Sequence, residues 1–164
     1  MKVLQTLAIG QKVPSELQVM MDHNKELCKK ADVKYEIIEF DGGEQPAAAS
    51  ELFRIKVLEK MRDVLIVDWD VKLKKIPKLL DQISCAFTNG NPYNAILANG
   101  SNTRFFRAWR KYIETHSGLK YGGCNRFLQI NADKITEFPS DCYSHGFYTL
   151  TNIQKERQNV TNDR

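Results

Sequence analysis

The sequence predicts a single α/β domain with a mostly parallel central sheet flanked by helices. Across the first seventy residues, short apolar runs rich in β-branched residues alternate with segments of helical spacing. This alternation is typical of parallel strands joined by right-handed crossovers. The most apolar run, Val64–Val67, is too short for a buried helix and fits an interior strand covered on both faces. A chain of 164 residues is long enough for one hydrophobic core, and we do not expect a second domain.

Local signals define the amino-terminal elements. Met1–Ile9 is apolar and is followed by Gly10, which predicts a first strand. Ser15 follows a proline and precedes a glutamate, so we expect it to cap a helix that runs to Lys30. Lys34–Phe40 is the second predicted strand, and Pro46–Met61 is the second predicted helix. That helix leads almost directly into the strand at 64–70, which completes a β-α-β-α-β order.

The carboxyl-terminal half has weaker signals. In chain order we predict a crossover with a short helix over 71–80, a strand at Ile83–Phe87, a loop at Asn89–Asn94, a helix from Ser101 or Asn102 to about His116, a strand at Phe127–Asn131 and a short segment at Ile135–Phe138. Phe105, Phe106 and Trp109 should be the start of a buried stripe on that helix. We expect a compact domain over residues 1–150 and a polar tail over 151–164.

Composition narrows the choice of partners and compartment. The net charge of +4 is modest, and the lysines after position 71 favour a solvated face over a nucleic-acid stripe. No segment approaches the roughly 20 apolar residues of a membrane span, and no secretory signal is evident, so no stable membrane insertion is expected. None of the four cysteines forms a C-x-x-C pair. Reduced thiols in a cytoplasmic protein are therefore the simplest expectation.

Two carboxylates, Asp68 and Asp70, end the most apolar strand. Side chains two residues apart on an extended segment point to the same side, and ligands of open α/β sheets collect at the carboxyl ends of strands. Adjacent carboxylates repel each other and are costly to desolvate, whereas a divalent cation with its preference for oxygen ligands removes that cost. The same residues also fit a polar exit from strand to loop, and the pair alone does not decide between the two interpretations.

Nucleotide-binding loops rich in glycine are absent. The sequence contains neither G-x-G-x-x-G nor G-x-x-x-x-G-K. A bound nucleotide would therefore have to be held through a metal ion rather than by a phosphate-binding loop.

The order of the motifs resembles a known family. The block from Ala49 to Leu58, followed by Val64–Val71 with its Asp-x-Asp, resembles the sugar-binding region of GT-A glycosyltransferases. The closest similarity is to the Och1-like and capsular-polysaccharide enzymes, which are related to the catalytic domains of the large clostridial toxins. Weaker similarities follow at Asn91–Leu97, at Gly122–Gly123 and at Phe138–Asp141. The resemblance covers residues 1 to 148 and implies a GT-A-like, Rossmann-like fold.

This resemblance implies a metal-dependent transfer of a sugar from a nucleoside-diphosphate sugar to an acceptor, with retained anomeric configuration. The donor would be a UDP- or GDP-sugar, and the acceptor, a carbohydrate, a protein or another molecule, is left open. The metal would be Mn²⁺ or Mg²⁺, acting as a Lewis acid on the leaving diphosphate. Asp68 and Asp70 would be the catalytic and metal-binding acids, with Asp68 also contacting the sugar or ribose. The implied donor-binding residues are Ser50, Glu51, Arg54, Asp68, Asn91 and Asn94.

The sequence also departs from the family pattern. Met61–Val64 replaces a Gly-Gly-x-Tyr turn, and the later segment that completes the metal site is reduced to Ser144–Tyr148. His145 or Asp141 is a candidate third metal contact, and a surface position for the histidine is an equal alternative. The chain is also short for the family, which leaves open a minimal enzyme, a subunit that needs a partner, or a domain that binds without turnover.

Two other functions are compatible with the sequence. A non-catalytic domain could keep the sheet and bind nucleotide sugar or a protein partner. A phosphohydrolase of the haloacid-dehalogenase type could use a strand-end Asp-x-Asp as nucleophile and acid/base. That chemistry expects the motif on the first strand and a second acidic pair downstream, and neither is present here.

Overall fold

The computed structural model describes residues 1–77, 82–116 and 123–144. These residues form, in chain order, β1 (Lys2–Ala8), α1 (Ser15–Lys30), β2 (Lys34–Phe40), α2 (Pro46–Lys60), β3 (Val64–Val67), β4 (Lys72–Leu73), β5 (Ser84–Thr88), β6 (Asn91–Ala98), α3 (Thr103–Thr115), α4 (Gly123–Ile130), β7 (Thr136–Glu137) and β8 (Tyr143–Ser144). Two short 3₁₀ turns lie at Ala132–Lys134 and Ser140–Cys142.

Six strands form one sheet in the order β2-β1-β3-β6-β5-β7. β1 pairs in parallel with β2 and β3, and β5 pairs in parallel with β7. β6 alone runs against its neighbours β3 and β5. β4 and β8 pair separately as a small antiparallel ribbon. The prediction of a mostly parallel central sheet is confirmed, with β3 in its interior and all four of its residues buried.

Each face of the sheet has its own apolar core. One core combines strand residues such as Leu4 and Ile66 with Phe106 and Trp109 of α3, and α2 and α4 contribute further side chains. The other contains Val3, Leu65 and Val67 with Cys28 of α1, and it extends to the β4–β8 ribbon. Alternate residues of β1 and β3 therefore point to opposite cores, which explains why these strands lack polar alternation.

Several predicted elements agree closely with the structure. The bounds of β2 are as predicted, and those of β5 and α2 differ from the prediction by one residue. The side chain of Asn102 caps α3 by accepting a hydrogen bond from the backbone N–H of Phe105 at 3.3 Å. Helix α1 spans the predicted residues, but Pro14 is its N-cap and Ser15 is its first helical residue, so the predicted cap was wrong.

Two predictions in the second half were wrong, and a third is tested only in part. The supposed loop at 89–94 is mostly strand, because Asn89 and Gly90 alone make the turn between β5 and β6. Both have positive φ, 50° and 76°, as a two-residue hairpin turn requires. The supposed strand at 127–131 is the end of α4 and the residue that follows it. The predicted crossover with a short helix covered 71–80. Residues 72–73 of that segment form strand β4, and residues 78–80 lie outside the described residues.

The cysteines in the described part of the chain agree with the expectation of reduced thiols. Cys28, Cys85 and Cys142 are buried free thiols. Burial raises the pKa of Cys28 to about 11 and that of Cys85 to about 12. Among the described residues, no helix is both long enough and apolar enough to cross a membrane.

Candidate functional site

The carboxyl end of β3 brings the two predicted acids to one edge of the sheet. The backbone N–H of Asp68 still donates to the carbonyl of Ala95 on β6 at 2.9 Å, so this residue continues the strand pairing by one step. Its side chain is 27% exposed, and its Oδ1 accepts from the backbone N–H of Trp69 at 2.9 Å. Asp70 is only 6% exposed. The chain turns after β3, with the N–H of Val71 donating to the carbonyl of Asp68 at 3.2 Å.

Helix α2 contributes a buried arginine to this edge. Arg54 is 2% exposed, and its Nη1 donates to the carbonyl of Asn94 at 2.6 Å. Its Nε donates to the carbonyl of Ser50, one helical turn earlier, at 3.4 Å. Its Nη2 lies 3.7 Å from Oδ2 of Asp68. A buried guanidinium requires such partners, so Arg54 joins α2, β6 and the end of β3 at a single point.

A second buried pair lies next to the arginine. Glu51 is 4% exposed, and its Oε1 accepts from Nδ2 of Asn94 at 2.8 Å. Glu51 and Arg54 are three residues apart on α2 and therefore share one face of the helix. The carboxylates of Glu51, Asp68 and Asp70 and the guanidinium of Arg54 thus belong to elements that meet at this edge.

An irregularity in β6 places Asn94. Cys85 and Ala86 are adjacent on β5, but they pair with Leu97 and Tyr93 on β6, so residues 94–96 have no opposite residue on β5. Such a bulge bends a strand and changes the direction of its side chains. Here Asn94 contacts α2 through both its amide and its carbonyl, and its backbone N–H donates to Oδ1 of Asn125 on α4 at 3.2 Å.

The structure therefore brings together most, but not all, of the predicted site residues. Glu51, Arg54, Asp68 and Asn94 form one connected cluster, and Ser50 takes part through its backbone carbonyl. Asn91 begins β6 at the hairpin turn, where its side chain donates to the carbonyl of Asn89 at 3.4 Å. It lies three residues from Asn94, about 10 Å along an extended strand.

The predicted third metal contact is a different case. Asp141 is exposed and forms an ion pair with Lys75, which lowers the pKa of its carboxyl group. His145 lies outside the described residues. Within residues 1–77, 82–116 and 123–144, no group of three or more histidine, cysteine, aspartate or glutamate side chains is arranged to hold a metal ion.

Three polar residues near the site were missed in the sequence. Asn125 contacts Asn94 from α4, and Gln5 and Asn24 contact the backbone that carries Asp68 and Asp70. Gln5 interrupts the apolar strand β1, and Asn24 lies among the apolar positions of α1. The sequence signal that could have found them is a polar residue at a position expected to be buried, because a buried amide needs hydrogen-bond partners.

Comparison with known proteins identifies the fold but not a sequence family. No family model and no curated protein sequence matches the chain. Among solved structures, a glycosyltransferase involved in the glycosylation of the major capsid of PBCV-1 matches with a TM-score of 0.67 and 9% identity. The match covers 98% of this chain and 100% of that chain. The chain shares the fold of GT-A glycosyltransferases.

Two further solved structures match less closely. Drosophila β1,4-galactosyltransferase 7, in complex with manganese, UDP-Gal and xylobiose, gives a TM-score of 0.51 at 12% identity, over 94% of this chain and 74% of that chain. An active-site mutant of LgtC gives a TM-score of 0.50 at 11% identity, over 84% of this chain and 72% of that chain. The expected fold is confirmed. The closer kinship with Och1-like and toxin enzymes stays a prediction from the motifs.

Proposed function

We propose that this protein transfers a sugar from a nucleoside-diphosphate sugar to an acceptor, with a divalent cation. The observation that carries the proposal is the cluster at the carboxyl end of β3, in which the buried Glu51, Arg54 and Asn94 meet the half-buried Asp68. Ligands of open α/β sheets bind at this edge. Shared fold supports the proposal, since the neighbours reported above are glycosyltransferases.

The residues present fit a cation that arrives with its substrate. Mg²⁺ in phosphate-binding sites is held by one or two carboxylates, and substrate phosphates and water complete its coordination. Asp70 and Asp68 supply two carboxylates without a third protein ligand nearby among the described residues. Asp70 would be the main ligand, as the resemblance to the Asp-x-Asp region implies, and Asp68 would be the second. When bound, Mn²⁺ or Mg²⁺ neutralises charge on the leaving diphosphate.

The protein's own residues then bind and orient the donor. Arg54 fixes Asp68 and Asn94 relative to each other, and Glu51 fixes the amide of Asn94. Asp68 and Asn94 would present the polar groups that hydrogen-bond the donor sugar. A site built before the substrate arrives lowers the entropic cost of orientation.

A direct test measures donor binding by isothermal titration calorimetry. UDP, GDP and a panel of their sugars are titrated with Mn²⁺, with Mg²⁺ and with EDTA, and Trp69 between the two acids serves as an independent fluorescence probe. We expect binding of one nucleotide series only when the cation is present, followed by slow hydrolysis of one sugar nucleotide. Binding without any turnover favours the non-catalytic alternative. Absence of binding by every nucleotide contradicts the proposal.

A further inference from the structure

Gln5 is a fully buried amide in the middle of β1, with 0% of its surface exposed. Its Nε2 donates to two carbonyls beyond β3, that of Asp68 at 3.1 Å and that of Trp69 at 3.0 Å. Its Oε1 accepts from Nδ2 of Asn24 at 3.1 Å and from the hydroxyl of Tyr35 at 2.6 Å. Every hydrogen-bonding position of the amide is therefore in use.

Asn24 of α1 continues the same network and is also 0% exposed. Its Nδ2 donates to the carbonyl of Val71 at 2.8 Å as well as to Gln5, and its Oδ1 accepts from the N–H of Leu73 at 2.8 Å. Together, Gln5 and Asn24 bind four backbone groups within six consecutive residues, Asp68 to Leu73.

Tyr35 of β2 holds the network from its other side. Burial raises the pKa of its hydroxyl group, so the proton that it donates to Gln5 stays in place at neutral pH. With its oxygen occupied by two donors, the amide of Gln5 has one favourable orientation, with its NH₂ group toward the Asp68 and Trp69 carbonyls.

We propose that Gln5 and Asn24 are positioning residues that hold Asp70 where it can bind the cation. The inference rests on the proposed function. Asp70 lies between Trp69 and Val71, whose carbonyls are both bound by the network, so its backbone is fixed on either side. The short segment has little regular structure of its own before β4 begins at Lys72. Replacing a side chain that orients a metal ligand without touching the metal typically lowers metal affinity by about 10- to 100-fold.

A matched control exists at the opposite end of the sheet. Asn99 is also 0% exposed, and its Nδ2 donates to the carbonyls of Leu58, at 3.0 Å, and Met61. Its Oδ1 accepts from the N–H of Val64 at 3.1 Å. Asn24 and Asn99 thus make the same kind of three-bond contact at equal burial, but only Asn24 contacts the segment that carries Asp70.

The experiment compares Asn24→Asp with Asn99→Asp. Each replaces an NH₂ donor that faces two oxygens with an acceptor, so both should lower the unfolding temperature by similar amounts. Calorimetry then measures UDP and GDP binding in the folded range, with Mn²⁺ and with EDTA. We expect Asn24→Asp to lose about tenfold or more of the Mn²⁺-dependent affinity, and Asn99→Asp to keep the wild-type value. The loss should be confined to the cation-dependent part of binding.

A milder variant covers the case in which Asn24→Asp does not fold. Tyr35→Phe removes one hydroxyl group from the network, and we expect a smaller loss of Mn²⁺-dependent affinity, roughly threefold, from one neutral hydrogen bond. Wild-type affinity in both folded variants overturns the inference, as does an equal loss in Asn99→Asp. In both of these outcomes the wild-type protein itself still binds the nucleotide. Failure of the proposed function differs, because the wild-type protein itself would then bind no nucleotide.

Discussion

The two ends of β3 have the same architecture but opposite chemical character. At the amino end, Asn99 joins β3 to α2, and its partners are backbone groups alone. At the carboxyl end, Gln5 and Asn24 perform the same task, but the segment they hold carries Asp68 and Asp70. Buried amides therefore suffice to close the end of a strand. The carboxyl end adds Asp68, Asp70 and the buried Arg54, and buried charges are costly unless they are paired, so we propose a ligand at this end rather than at the amino end.

The largest effect is expected when the acid at the carboxyl end of β3 is replaced and the acid at its amino end serves as the control. Asp70→Asn should abolish Mn²⁺-dependent nucleotide binding, a loss of about 100-fold or more, because a neutral amide is a much weaker ligand for a hard cation. Asp63→Asn is the matched control, since Asp63 precedes the strand, is exposed and has a φ of 54°, which asparagine tolerates. Calorimetry and circular dichroism measure binding and folding. Equal loss in both variants, or unchanged binding in Asp70→Asn, contradicts the metal assignment.

A smaller effect is expected from Arg54→Lys. The charge is kept, but the planar fork that reaches Asp68 and the Asn94 carbonyl is lost. We expect about tenfold weaker binding of the sugar nucleotide and a smaller change for the free nucleoside diphosphate, because in the proposed function the arginine organises the residues that bind the sugar. Calorimetry with both ligands gives the ratio. A loss of the same size for the sugar nucleotide and the free nucleoside diphosphate would indicate that Arg54 acts on the diphosphate and not on the sugar.

The smallest effect is expected at Glu59 near the end of α2, which pairs with Arg110 at 2.6 Å and Arg107 at 3.2 Å on α3. The hydrogen bond from Arg110 is the main cause of a lowered pKa for Glu59. A lowered pKa means that this stabilisation is present at neutral pH and is lost as the pH falls through the lowered pKa.

Glu59→Gln should therefore lower the melting temperature by about 2 °C at pH 7 and by progressively less as the pH falls through the lowered pKa of Glu59, with nucleotide binding unchanged. Thermal melts of both proteins over a series of acidic pH values measure the difference. A change in binding would contradict the division between the two ends, because Glu59 belongs to the helix pair and not to the charged edge.

Local sequence signals predicted the structure correctly where a residue type at a given position is typical of a single structural role. A cap at Ser101 or Asn102 was predicted, and Asn102 is the one observed. The apolar run of β3 was also predicted, since a cap and a strand covered on both faces each depend on a few adjacent residues. The same local reasoning could have predicted the turn at Asn89–Gly90, but the polar residues around it suggested a longer loop. The apolar segment at 127–131 was ambiguous, because a short apolar run fits a strand or a buried helix equally well.

The sequence by itself determined the alternating α/β order, the buried central strand and the position of Asp68 and Asp70 at its end, because these depend on periodicity and on adjacent residues. The tertiary structure alone decided that Arg54 reaches Asp68, that a bulge turns Asn94 toward Glu51, and that Gln5 and Asn24 bind the backbone around Asp70. These contacts join residues between 14 and 64 positions apart along the chain, and local propensity carries no information at such separations. Packing of α1 and α2 on opposite faces of one sheet brings them together.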